Sequence, residues 1–186
     1  MEITQKFIDE LLTHAMDIAK GNKERKGFKG EFLPVALVIG QHGEQAVLPT
    51  PFASNEQKQF VMAALSEGAR QENAVAVALI QDTRVTDLNA FDAHFELPPE
   101  ADIEKRKQRY EEIISNRFGG TTLNLPDSLY IDSLVVAIKG PFIKPQTLRL
   151  SYKEGVGDSV IWGEREHSNL SFMYVLDDWW EPATVN

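Results

Sequence analysis

His94 and Glu96 stand in the spacing His-x-Glu, and Asp82, Asp87 and Asp92 precede them in the stretch DTRVTDLNAFDAHFE, which follows an apolar run. An imidazole and several carboxylates at this density could hold a divalent cation, with bound water as nucleophile and one carboxylate as base. On an extended segment His94 and Glu96 would point to the same side. Asp82 would stand at the end of a central buried strand, where ligands often bind in sheets with parallel pairs. The same residue types also have a plainer use, because acids after a buried strand keep a connection solvated and form Asx turns. The His-x-Glu spacing is shared with zinc deaminases, but the paired cysteines that complete that set are absent.

A second cluster is basic. Lys20, Lys23, Arg25, Lys26 and Lys29, with Glu24 as the one acid among them, concentrate a net +4 in ten residues and leave −13 on the rest of the chain. Interleaved with Gly21, Gly27 and Gly30, the segment reads as a mobile loop. Lys23, Arg25, Lys26 and Lys29 are its candidate anion-binding residues, against a solvated connection as the plainer reading. A third feature is the pair Trp179 and Trp180 in LDDWWEP. Adjacent tryptophans do not readily face one core together, so one of them is a candidate interface anchor, or both close the sheet rim.

Several chemistries lack their usual residues. The chain has no Walker glycine loop, no Gly-x-Ser-x-Gly elbow and no Gly-x-Gly-x-x-Gly turn. The acid-x-Lys of metal-dependent nucleases fails at LVVAIK, which has no acid two residues before Lys139. His14, His42, His94 and His167 lie on separate elements, unlike a ligand set. No cofactor follows from these motifs.

A formal charge of −9 should repel nucleic acid and anionic membrane, and neither is expected as a partner. The absence of cysteine excludes disulfides, thiolate zinc sites and cysteine nucleophiles, and suits a reducing compartment. The segment MEITQKFIDELLTHAMDIAKG has neither a basic n-region nor a continuous apolar h-region, and no later apolar run is long enough to span a bilayer. A cytoplasmic location is expected.

The elements that would position these residues can be read from periodicity. Ile3, Phe7, Leu11 and Ile18 stripe a first helix, which Gly21 is placed to end. LPVALVIG, the turn GQHGE and QAVLP form a hairpin. SNEQ is a capping box at Ser54 for a second helix, whose inner face is Phe60, Val61, Ala64, Leu65 and Gly68. AVAVALI, residues 74–80, is the central strand, with the second helix expected on its alanine side. A third helix starts near Glu100 and is capped by Gly119. LYIDSLVVAIKG, QTLRLSYK and SVIWGERE complete a meander, with LSFMYVL as a last strand or a terminal helix.

The expected fold is therefore a single α+β domain over residues 1–186. Its mixed, mostly antiparallel sheet would carry helices mainly on one face, in the order helix, hairpin, helix, strand, helix, meander. This order is similar to the profilin-like and roadblock-type arrangement at the level of architecture, and no motif ties the chain to a family. The leading expectation for function is a non-catalytic interaction or assembly module with a protein partner or a second copy of itself. The rivals are the metal-assisted hydrolase and weak anion binding through the basic segment.

Overall fold

A computed structural model describes residues 3–51, 55–141 and 143–168. Trp179, Trp180, the Ser54 cap and the LSFMYVL segment lie outside them. The described chain is α+β, with four helices and a six-stranded antiparallel sheet in the order β2-β1-β3-β4-β5-β6. The strands are β1 (Val35–Ile39), β2 (Gln45–Pro49), β3 (Ala76–Thr86), β4 (Tyr130–Gly140), β5 (Ile143–Glu154) and β6 (Val160–Ser168). The helices are α1 (Gln5–Lys26), α2 (Asn55–Gln71), α3 (Leu88–His94) and α4 (Ile103–Phe118). Among the described residues no helix is long and apolar enough to cross a membrane.

The chain divides into two compact units, residues 1–83 with 133–186, and residues 84–132. In the first, α1 lays Ile8, Leu11, Leu12, Ala15, Met16 and Ala19 against a sheet face that includes Ala76, Ala78, Ile80, Leu134, Val136 and Leu148. The opposite face, with Ala36, Val77, Leu79 and Ala137, receives Met62, Leu65 and Ala69 of α2. The expected pairing of α2 with the alanine side of β3 is thus reversed, and side-chain volume supplies the reason. The bulky stripe of α1 fills the space left by Ala76 and Ala78, while Val77 and Leu79 project towards Met62, Leu65 and the small Ala69, so large meets small on both faces.

The buried stripe of α2 is also rotated from the expected one. Met62, Leu65, Ser66 and Ala69 point inward, whereas Ala64 and Gly68 are exposed and Phe60 is 76% exposed. Both stripes have helical spacing, so periodicity alone does not choose between them.

Gly21 does not end α1. The helix continues to Lys26, with Lys23, Arg25 and Lys26 in its last turn, where basic side chains complement the helix dipole. An interior glycine costs about 1 kcal/mol relative to alanine, less than the burial of Ala19 and Lys23 on either side of it can override. The cap is Gly27, at φ 80°. A Cβ there would lie 2.5 Å from the Asp158 carboxylate and 2.9 Å from its backbone oxygen, so the approach of the turn before β6 requires glycine.

The β1–β2 hairpin forms as expected, with register Val35↔Pro49 to Ile39↔Gln45. The Gly40 N–H donates to the Glu44 carbonyl (2.9 Å) and the Thr50 N–H to the Pro34 carbonyl (2.8 Å). Hydrogen-bonded pairs alternate along an antiparallel ladder. Ala36 with Leu48 and Val38 with Ala46 therefore exchange the hydrogen bonds, and the N–H and C=O groups of Gln45 and Val47 point away from β1.

In the unit of residues 84–132, α3 and α4 enclose Phe91, Ile114, Leu125 and Leu129. Gly119 caps α4 in the left-handed conformation at φ 67°, as its position after Phe118 predicts. The strand expected at 74–80 instead spans Ala76–Thr86, and the residues after it form α3 in place of a loop. Residues 76–80 of β3 are fully buried between β1 and β4. Their amides should be the slowest to exchange in the chain by hydrogen–deuterium mass spectrometry. Exchange there as fast as at residues 41–44 of the hairpin turn would contradict this placement.

Candidate functional site

Asp82 and Lys23, drawn by sequence into two different hypotheses, are partners. Lys23 projects from the last turn of α1 with its side chain 3% exposed, and its Nζ lies 2.9 Å from Asp82 Oδ2 on β3. Nζ also donates to the Gly30 carbonyl at 3.2 Å. The Tyr152 hydroxyl, from β5, donates to the other oxygen of Asp82. Aromatic rings close over the pair. Lys23 Nζ is 5.0 Å from the Tyr152 ring centroid, and Phe28 and Trp162 meet Tyr152 edge-on at 5.8 and 5.6 Å. Trp162 in turn donates from Nε1 to Glu24 at 2.8 Å.

This is a closed polar network. Both carboxylate oxygens accept a strong donor, and the ammonium has its carboxylate, its carbonyl and the aromatic face. Buried charges are tolerated on these terms. An incoming substrate would have to break one of these bonds before Asp82 could act as a base on it.

The other acidic candidates are occupied singly. Asp87 caps α3, accepting from the N–H groups of Asn89 (2.9 Å) and Ala90 (3.1 Å). Asp92 accepts from Arg106 Nε (2.8 Å) and Arg109 (3.4 Å), which tie α3 to α4. His94 ends α3 with its ring edge-on to Phe95 at 4.8 Å. Glu96 follows at φ 52°, in the turn that leaves the helix. Among the described residues no group of three or more histidines and acids is placed to hold a metal ion. His-x-Glu assumes an extended segment. Helix formation from Leu88 to His94, started by the Asp87 cap and anchored by buried Phe91, removes that assumption.

The remaining basic candidates each have a separate acceptor. Arg25 bonds the Asn22 side chain, Lys26 the Glu31 carbonyl (2.7 Å), and Lys29 the Glu154 carboxylate (3.0 Å). Hydrogen bonding and charge attraction from Glu154, with Asp158 nearby, hold the Lys29 ammonium above its ordinary pKa.

Among the described residues a different surface is left open. β2 is exposed along its whole length. Val47, on the α1 side of the sheet, is 57% exposed, and Leu48, on the α2 side, is 43% exposed. Neither helix reaches far enough to cover this strand. Between the hairpin and α2 runs a groove of about 360 Å³, whose apolar lining includes Val38, Ala46, Leu48, Ala64 and Leu65 and whose charged lining residues are Glu44 and Glu72. A second groove, of about 720 Å³, is lined by Leu33, Pro51, Phe60 and Val61 with Glu31 and Glu56.

No protein-family model matches the chain, and no curated protein is significantly similar to it.

Sequence reasoning missed this surface because it assigned Phe60 to the core. The available signal was the composition of QAVLP, a strand without charge that the hairpin order can place at a sheet edge.

Proposed function

We propose that this protein is a non-catalytic interaction module whose binding surface is the β2 edge of its sheet. One observation carries the reading, the contrast between the two outer strands of the sheet formed by the described residues. Sheet edges in natural proteins are defended by charge, proline or shortness, because their unpaired N–H and C=O groups otherwise template further pairing. β6 carries Glu164, Arg165, Glu166 and His167 through its second half. β2, Gln45 to Pro49, is limited by its five-residue length and its terminal proline, but it carries no charged residue and exposes Val47 and Leu48 on opposite faces. An uncharged edge flanked by apolar grooves has the anatomy of a binding surface: an apolar centre with a polar rim.

The metal-assisted hydrolase is less well supported, because Asp82, Asp87 and Asp92 each already hold donors that fix the fold. A cysteine-free chain acting in the cytoplasm, with a protein partner in preference to nucleic acid or membrane, fits this reading.

Site-specific photocrosslinking tests it. A benzophenone amino acid at Val47 of the full chain should give a discrete adduct in extract of the source cell, and the same group at Lys6 on the exposed face of α1 should not. Adducts at neither position, or the same adducts at both, would refute the assignment.

A further inference from the structure

Resting on that reading, we infer that the partner contributes an extended apolar segment bearing an adjacent lysine or arginine, which adds to β2 as a seventh strand. The backbone comes first. The outward N–H and C=O groups belong to Gln45 and Val47, and Pro49, next in that alternation, offers a carbonyl but no N–H. Proline is tolerated there because the group it lacks faces away from β1. Strand addition uses such outward groups for affinity, and pockets for alternate side chains give specificity.

Those pockets are present on the α2 side. A seventh strand would set alternate side chains beside Ala46 and Leu48, over the groove whose far wall is Ala64 and Gly68 of α2. A Cβ at Gly68 would meet nothing within 4 Å, so this wall is set back and leaves room for an aliphatic side chain. On the other face the incoming side chains would lie beside Val47, which none of the described helices covers. The segment is therefore apolar on both faces at its centre.

Charge identifies its flank. The charged residues described in the lining of the two grooves are Glu44 and Glu72 in one and Glu31 and Glu56 in the other. Among the described residues, none of Glu31, Glu56 and Glu72 is ion-paired. Opposite charge across an interface steers encounter and fixes register, and like charge rejects wrong partners. A second copy of the chain is disfavoured on this ground. Two molecules that each carry −9 repel, and each would present only uncharged residues of β2, with no cation, to the acidic rim of the other.

The probe is a displayed library of random 12-residue peptides selected against the full chain, followed by titration of the enriched peptides. Sequences alternating aliphatic and aromatic residues next to Lys or Arg should be enriched. Val47→Pro removes an outward N–H that β1 does not use, and should weaken these peptides at least tenfold while the hairpin amides that face β1 keep their exchange protection. Glu72→Lys should weaken them severalfold, with the difference shrinking as salt is raised. Val47→Ala, which keeps the N–H, should bind far better than Val47→Pro. Acidic or patternless consensus peptides, or unchanged binding in Val47→Pro, would overturn the strand-addition inference while leaving a crosslink at position 47 to stand for the broader reading. Absence of both enriched peptides and crosslinks would remove both. Concentration-dependent dimerisation in sedimentation, lost in Val47→Pro, would assign the edge to a second copy and overturn the basic-segment assignment.

Discussion

Replacing Asp82 by alanine is expected to destabilise the unit of residues 1–83 with 133–186 by about 3 kcal/mol, the lower end of what removal of one member of a buried ion pair costs. The reason lies in what remains. Lys23, 3% exposed, would keep the Gly30 carbonyl and the aromatic rings but lose the Asp82 carboxylate, and the Tyr152 hydroxyl would lose its bond to Asp82. The lower end applies because Asp82 itself keeps a narrow solvent edge, with 18% of its side chain exposed. A double variant, Lys23→Met with Asp82→Leu, should recover most of the loss, since an apolar pair of similar volume needs no counter-charge. Urea unfolding followed by amide exchange at residues 35–39 and 76–80 reads the effect. A cost below about 1 kcal/mol for Asp82→Ala would mean that the pair is solvated and the network is not closed.

Phe91→Ala should be comparably severe in the other unit, at about 3–5 kcal/mol, the range for truncating a buried aromatic. Phe91 is fully buried, packs against Phe95 at 4.6 Å and Tyr110 at 4.9 Å between ring centroids, and shares its cluster with Ile114, Leu125 and Leu129. These neighbours all belong to residues 84–132. Native-state exchange should therefore accelerate first in α3 and α4, at denaturant concentrations where residues 76–80 remain protected. Equal acceleration in both segments would show that residues 84–132 do not open as a separate cooperative unit.

Long elements with an unambiguous period were legible in the sequence. The stripe of α1, the hairpin and the Gly119 cap follow from local pattern, because each depends on neighbours a few residues apart. What depended on the rest of the molecule was not legible. The facing of α2 required knowing that α1 would already occupy Ala76 and Ala78. The continuation of α1 past Gly21 required the counter-charge on Asp82, far along the chain. α3 was missed because seven residues carry too little period to stand out, although Asp87 as a cap and Phe91 with Phe95 one turn apart were visible. For the candidate site, residue types drew attention to the right carboxylate for the wrong reason. Asp82 matters to the described structure as the partner of a buried lysine, and chemical composition alone does not distinguish a ligand from a counter-ion.

The chain leaves one compact unit at Thr83 and returns to it at Ser133, on β3 and β4, which are neighbours in the sheet. Seen as chain topology, residues 84–132 lengthen a single β-hairpin. Loop-closure entropy grows only with the logarithm of length, so exchanging a tight turn for this whole segment changes it by about 2 kcal/mol. Such a place admits insertion and replacement during evolution at small cost to the sheet, and the strand order around it need not change. The hairpin end between β3 and β4 is therefore a place where a long insertion costs the sheet little.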